Sequence, residues 1–401
     1  MGEPMHEDER FMAAAMRLAR RNLGLTSTNP SVGCILVKQG TIVGAAVTAP
    51  GGRPHAETQA LAVAGEKARG ATAYVTLEPC SHHGKTPPCA DALIASGIGR
   101  VVVSILDPDE RVAGRGVVML RDAGVDVDIG ILQEEGERVL EAYLMRQRKK
   151  RPHVTLKLAV SADGMIGRRG EGQVRITGDV SRAQVQILRA ETDAILVGIG
   201  TAAADDPELT VRMHGLEDRS PVRIVLDRRF DLPLESKLVR TARRVPLIVV
   251  TGDAGFHSPR EWGESARGAN ERRSSLPLSS GLTRGSALSP QAVGEGDYNA
   301  RRNALEAAGA ELLNAETIPD LLAALASRGI SSLLVEGGAR AARSFLDAGV
   351  VDRILLFTGP EAIGENGISS PFQRTSVPAG FTLRRTARYG DDIFEDYERD
   401  I

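Results

Sequence analysis

Phe11, Ala14, Ala15 and Leu18 recur at helical spacing through residues 7–22, and the pattern stops at Gly24. Two apolar runs follow, VGCILV and TIVGAAV, parted by Lys38-Gln39-Gly40 in the manner of a β-hairpin. Helix and strand patterns then alternate. HAETQALAVAGEKA is helical, ATAYVTL a strand, CADALIASG a helix and RVVVSILD a strand; AGRGVVMLRDAG is helical and VDVDIG extended. The alternation predicts a three-layer α/β unit over residues 1–148. The basic stretch RQRKKRP (146–152) has the character of a surface linker, and a strand opens a second unit at HVTLKLAVSADGMIG. That unit, 149–401, has strands at AILVG, VRIVLD, VPLIVVT, SSLLVEG and RILLFTG, and its clearest helices at SRAQVQILRAE and ARAARSFLDAG. No internal repeat relates the two.

One stretch lacks any period. From Ala254 to Asn299 the chain is Ser, Gly, Arg, Pro and Glu with scattered apolar residues and Trp262, so a flexible insertion is expected there, with a docked lid as the alternative. A length of 401 residues agrees with two domains. The net charge of −2 and an aromatic content of 3% argue against a nucleic-acid surface. The start, MGEPMHEDER, is acidic without an apolar core, and no run of 18 apolar residues occurs, so neither a secretory signal nor a membrane span is expected. Three cysteines, an odd number, do not form a disulfide framework. The expected compartment is the cytoplasm.

Two of those cysteines fall in LEPCSHHGKTPPC, residues 77–89, downstream of RPHAETQA. His55, Cys80 and Cys89 supply the three N/S ligands of a catalytic zinc, leaving a position for water. Glu57, two residues beyond the histidine, is free to shuttle protons. Zinc nucleobase deaminases carry H-x-E with P-C-x-x-C, but here the second cysteine comes later, as Cys80-x8-Cys89. A purely structural zinc with four ligands is the competing reading, with His82 or His83 as the fourth; it leaves Glu57 without a role. Cys34, in VGCILV, has the setting of a core thiol, and His6, His153, His214 and His257 have no chemical context.

HAETQAL, GATAYVTLEPCSHHGKTPPCADALI and DPDERVAGRG resemble the N-terminal half of the bifunctional riboflavin-biosynthesis deaminase/reductase family, in which the longer Cys–Cys spacing is the rule. The resemblance implies a cytidine-deaminase-like fold in which His55, Cys80 and Cys89 bind zinc and Glu57 shuttles protons. Asn29, His82 and Lys85 would contact a pyrimidine carrying a ribosyl phosphate. Asn29 offers both a donor and an acceptor to a pyrimidine edge, and Lys85 a point charge to phosphate, although a solvated loop lysine is equally compatible. Thr48 stands where the family often has a histidine.

LKLAVSADGMIG, GTAAADDPELTVR and LVEGGARAARSFLDAGVVD resemble that family's reductase half, which has a dihydrofolate-reductase-like fold and uses NADPH. The implied dinucleotide contacts are Ala159, Arg175, Thr201, Asp205 and the run Gly338, Ala339, Arg340, Ala341, Ala342, Arg343 and Ser344. Gln173, Arg189, Leu209, Arg212 and Glu336 would face the substrate. Arg189 and Arg212 suit a phosphate through bidentate pairing, with surface arginines as the alternative. Arg175 occupies a position where the family often has tryptophan. Arg228 and Arg229 follow VRIVLD and are placed to read a 2′-phosphate. Lys157, Asp205 and Glu336 are candidates for proton supply, while Asp205-Asp206-Pro207 is also compatible with a helix-end turn. A homo-oligomer formed through the reductase half is expected, and charge, aromatic content and the lack of a long apolar run leave no nucleic-acid or membrane partner expected. A zinc deaminase of another nucleobase or of nucleic acid, and a non-catalytic deaminase-fold module, are the alternatives.

Overall fold

The structure is a computed structural model describing residues 6–82, 87–252 and 295–400. Helix α1 (Glu7–Ala19) is capped by the His6 side chain, carries Glu7, Asp8 and Glu9 in its first turn and buries Phe11, Met12, Ala15, Met16 and Ala19. Strands β1 (Gly33–Lys38) and β2 (Thr41–Val47) are joined by Gln39 and Gly40, both at positive φ (50° and 72°), which is the two-residue turn the pattern predicts. The chain continues through α2 (Ala56–Ala64), β3 (Thr72–Leu77), α3 (Cys89–Ala95), β4 (Arg100–Ile105), α4 (Arg115–Asp122) and β5 (Asp126–Ile129). The sheet order is β2-β1-β3-β4-β5, with β1 antiparallel to both neighbours and β3, β4 and β5 parallel. Helices α2, α3 and α4 pack side by side on this sheet. Val101, Val102 and Val103 of β4 are all fully buried, as expected of a parallel strand covered on both faces.

Helices α5 (Gln133–Val139) and α6 (Glu141–Lys149) complete this half. They correct the linker reading of 146–152. Arg146, Arg148 and Lys149 form the cationic last turn of α6, where the helix dipole favours them. Arg146 donates from Nε to Ser331 Oγ at 2.8 Å and from Nη2 to the Thr28 carbonyl, and Arg151 pairs with Asp352 at 2.6 and 2.7 Å.

The second half contains β6 (His153–Val160), β7 (Met165–Arg168), α7 (Asp179–Ala190), β8 (Ala194–Gly198), α8 (Ile199–Asp205), β9 (Val222–Leu226), α9 (Lys237–Arg240) and β10 (Leu247–Thr251). After the undescribed segment come α10 (Glu295–Ala308), β11 (Glu311–Asn314), α11 (Ile318–Ser327), β12 (Ser332–Val335), α12 (Ala339–Asp347), β13 (Arg353–Thr358), β14 (Gly367–Ser369), β15 (Phe381–Tyr389) and β16 (Asp392–Arg399). The nine-stranded sheet runs β11-β10-β9-β8-β12-β6-β13-β16-β15. Seven strands are parallel, and the closing hairpin β15–β16 lies antiparallel at one edge. Strand β12 therefore enters between two strands laid down much earlier in the chain. The expected insertion is five residues too long, because α10 begins at Glu295 and Tyr298 packs on Phe230 with ring centroids 4.7 Å apart. Residues 254–294, Trp262 among them, lie outside the described residues. No helix among the described residues is long and apolar enough to cross a membrane.

Candidate active sites

His55 is the N-cap residue of α2, with extended φ/ψ, so Glu57 lies in that helix's first turn. Thr58 and Gln59 hydrogen-bond back to the His55 carbonyl, and Gln59 also ties down Val47 and Pro54, which fixes the approach to the histidine. Cys80 follows β3 and Cys89 opens α3. The backbone N–H of Cys89 donates to Cys80 Sγ at 3.3 Å, and Ala90 N–H to the Cys80 carbonyl at 3.2 Å. The fold thus brings three residues from two loops together. His55 Nδ1 lies 3.6 Å from Cys80 Sγ and 3.4 Å from Cys89 Sγ, and all three ligand atoms fall within 4.8 Å of one another. Tetrahedral zinc with ordinary Zn–N and Zn–S bonds needs N···S separations of about 3.5 Å, so the donor set fits that ion in chemistry and in spacing.

Glu57 is buried beside this set at 4% exposure. Burial, and next the charge of Cys80, push its carboxyl up to about 7. Cys80 is held down to about 4, first by the hydrogen bond from the Cys89 thiol, with His55 adding to it; Cys89 is pushed upward as its partner. One negative charge is thus shared by the thiols in the absence of a cation, and a dication stabilises a second. Asn29 lies against the Gly52 turn that leads to His55: a Cβ on Gly52 (φ 85°) would meet Asn29 Nδ2 at 2.3 Å. His82 lines an open cavity of about 500 Å³ with Ser81, Arg111, Gly114, Arg115 and Met119. Its Nδ1 is buried with no partner among the described residues. Lys85 and His83 lie outside the described residues. Thr48 is buried and its hydroxyl accepts from Val32 N–H at 3.0 Å, so it closes the backbone rather than facing a ligand.

In the second half Lys157 and Ala159 on β6, Thr201 just past β8 and Glu336 and Gly338 just past β12 stand toward the carboxyl ends of those strands, where strand order switches and open α/β sheets bind ligands. Glu336, just past β12, accepts both arms of Arg189, Nε to Oε1 and Nη2 to Oε2, each at 2.9 Å. Arg189 also donates to the Thr210 carbonyl at 3.3 Å. The fork expected to hold a phosphate is therefore engaged by an internal carboxylate, because a buried guanidinium requires a counter-charge. Burial opposes the Glu336 charge, but Arg189 and Lys157 outweigh it and hold the carboxyl below its usual value. Lys157 is pushed down by burial, with Glu336 opposing and Arg189 assisting the shift. Its ammonium lies 5.7 Å from the Phe357 ring centroid, and Ala159 points to the same face of β6.

Thr201, in the first turn of α8, accepts from Gly338 N–H at 2.9 Å. Gly337 (φ 107°) takes a conformation that favours glycine, and a Cβ there would meet Thr201 Oγ1 at 2.9 Å. No side chain caps α12, whose first N–H groups face the sheet's carboxyl edge. Within α12, Ala341 and Ala342 are buried in the core and Ser344 Oγ donates to the Arg340 carbonyl, whereas Arg340 and Arg343 are exposed. The two alanine side chains thus turn into the core. Leu209 is likewise a core residue, 3% exposed, although its φ of 54° marks a strained turn. Asp205 ends α8 and Asp206 is its left-handed C-cap, which agrees with the helix-end turn. Arg212 pairs with Glu208 at 3.4 Å, Arg175 with Asp179 at 3.1 Å and Arg229 with Asp231 at 2.9 Å. Arg228 donates to the Glu316 carbonyl at 3.3 Å, and Gln173 is exposed.

Residues 5–105 match the family described as the cytidine and deoxycytidylate deaminase zinc-binding region, and residues 152–261 and 292–394 match the RibD C-terminal domain. The riboflavin biosynthesis protein RibD of Aquifex aeolicus is 38% identical over 98% of this chain and 98% of its own length. The chain belongs to the RibD family. Acinetobacter baumannii RibD superposes with a TM-score of 0.79 at 31% identity, covering 98% of this chain and 99% of its own. The Thermotoga maritima structure described as a diaminohydroxyphosphoribosylaminopyrimidine deaminase/5-amino-6-(5-phosphoribosylamino)uracil reductase gives 0.78 at 31% identity, with the same coverage. The two halves of this RibD-family chain are accordingly a cytidine-deaminase-like domain and a RibD-type reductase domain.

Sequence reasoning overlooked the buried carboxylates that hold the loops beside the zinc set. Glu78, inside the quoted LEPC, accepts four backbone N–H bonds from residues 107–117. Asp107 accepts from the buried Tyr143 hydroxyl at 2.8 Å. The only signal for Glu78 was an acidic residue in an otherwise apolar strand end, which marks burial with partners but does not name them.

Proposed function

We propose that this chain performs two consecutive steps of riboflavin biosynthesis. Residues 1–148 hydrolytically deaminate 2,5-diamino-6-ribosylamino-4(3H)-pyrimidinone 5′-phosphate, and residues 149–401 reduce the ribosyl group to ribityl with NADPH. The observation that carries this reading is the convergence of His55, Cys80 and Cys89 beside the buried Glu57. His55 Nδ1 and the two thiolates would hold zinc, whose Lewis acidity makes a water usable as a nucleophile at neutral pH. Glu57, buried beside the ligand set, takes the proton of the attacking water, delivers it to the ring nitrogen and then assists departure of ammonia. Asn29 reads the pyrimidine edge, and His82 with Lys85 meets the phosphorylated arm.

In the reductase, NADPH supplies the hydride. The uncapped start of α12, with Gly338 held by Thr201, is where its phosphates would sit. Glu336 is committed to Arg189, so Lys157, with its lowered pKa, is the better-placed proton donor to the opening ribose. A cytoplasmic enzyme is the simplest setting for both steps. The long exposed edge strand β15 is the surface through which copies of the reductase half would associate.

Three measurements on the purified chain test the proposal: zinc content, ammonia release from the diamino substrate, and NADPH oxidation with the deaminated product. About one zinc per chain with both activities is expected. Ammonia release without dependence on zinc, or no NADPH oxidation, overturns the corresponding half.

A further inference from the structure

Glu78 stands at the end of β3, two residues before Cys80, and is 3% exposed. Its Oε2 accepts from the N–H groups of Asp107 at 3.2 Å and Gly114 at 2.9 Å, and its Oε1 from Gly116 at 2.9 Å and Val117 at 3.3 Å. Gly114 is the N-cap residue of α4 and has no side chain with which to cap it. A carboxylate 36 residues upstream does so instead, placing negative charge at the positive end of the helix. The fit leaves no slack: a Cβ on Gly116 would lie 2.1 Å from the Pro79 carbonyl oxygen.

Ser81 and His82 form one wall of the 500 Å³ cavity, and Arg111, Ala113, Gly114, Arg115, Val118 and Met119 form the other. Glu78 sits behind both walls. Its own strand leads into the first, and its four accepted bonds hold the second. Ser81 Oγ adds a single bond across the gap, to the Arg111 carbonyl at 3.2 Å.

We infer that Glu78 is a positioning residue of the deaminase: it clamps the 107–117 segment against Pro79–His82 and so fixes the width of the cavity that His82 lines beside the zinc set, where the phosphorylated arm of the substrate would lie. The residue touches no reacting atom, so its loss acts on substrate binding more than on the chemical step. The inference rests on the deaminase reading proposed above.

Glu78→Gln is the direct test. It keeps the shape but offers an amide NH₂ to amides that are themselves donors, so two of the four bonds are lost and one oxygen site becomes a donor–donor clash. The KM for the diamino substrate should rise about tenfold or more, since each lost hydrogen bond to a charged acceptor is worth about one factor of ten. The kcat should stay within about twofold, zinc should remain at about one per chain, and reduction of the deaminated product should be unchanged. Glu78→Asp, which remains acceptor-only, should show a smaller rise in KM; it carries the same readout if the Gln variant does not accumulate folded. An unchanged KM, loss of zinc, or a fall in kcat at constant KM overturns the inference. Ammonia release by the wild-type chain, measured alongside, separates that outcome from failure of the deaminase assignment.

Discussion

Glu57 illustrates how one carboxyl acquires two requirements. It must lose and regain a proton within a turnover, and it must not be drawn onto the cation beside it. Glu57→Gln keeps the volume and removes the titration, so the variant should retain about one zinc per chain while ammonia release falls by roughly 10² to 10⁴; reduction of a substrate supplied already deaminated should persist. Metal analysis with the two separate assays checks this. The same carboxyl makes the metal-free chain sensitive to pH. Its pKa in the folded state, about 7, lies above the 4.5 of an unfolded glutamate, so the folded form holds the proton more tightly. Its contribution to stability is fully present below pH 4.5 and is lost as pH rises through 7. Urea unfolding of the metal-free wild type should therefore weaken by roughly 3 kcal/mol across that window relative to Glu57→Gln.

Among the elements, those with a strict hydrophobic period were legible from sequence. The β1–β2 hairpin, β3, β4 and the parallel strands of the second sheet all sit where Val, Ile and Leu run together. Helices α5 and α6 and the hairpin β15–β16 were not legible. Gly136 weakens the helical pattern inside α5, where only glycine fits because a Cβ would meet Ser104 Oγ at 2.3 Å, and β15 is an exposed strand with no apolar alternation. The zinc set was legible because H-x-E and the cysteines are local motifs. The Arg189–Glu336 pair was not, since its members are 147 residues apart and only the fold brings α7 under β12. Breaking that pair leaves a buried guanidinium without its counter-charge. Glu336→Gln should therefore cost about 3–5 kcal/mol in stability and abolish NADPH oxidation, with ammonia release intact; calorimetry and the paired assays decide it. Arg228 and Arg229, side by side after β9, define a different test. Replacing both with Ala should weaken NADPH binding more than NADH binding, whereas equal loss would assign them to folding alone.

At the scale of the whole molecule, the halves share a polar seam. Arg146 reaches both Thr28 and Ser331, Arg353 lies 3.3 Å from Glu141, and Arg219 donates to the Arg21 carbonyl at 3.1 Å. Arg146→Ala should keep both activities but remove about 1 kcal/mol of coupling, lowering the melting temperature by about 2–4 °C and broadening the transition in calorimetry. The seam does not make the halves equal in time. All five strands of the first sheet lie within the first 129 residues, whereas β12, at 332–335, belongs between β8 and β6. On a ribosome releasing roughly 5–20 residues per second, the amino-terminal half can close and take up its metal early. The second sheet must wait with its central slot unfilled until residue 335 has emerged, so contacts of long sequence separation set its pace. A message cut short before that point leaves a chain with every strand of the first sheet and no means of completing the second.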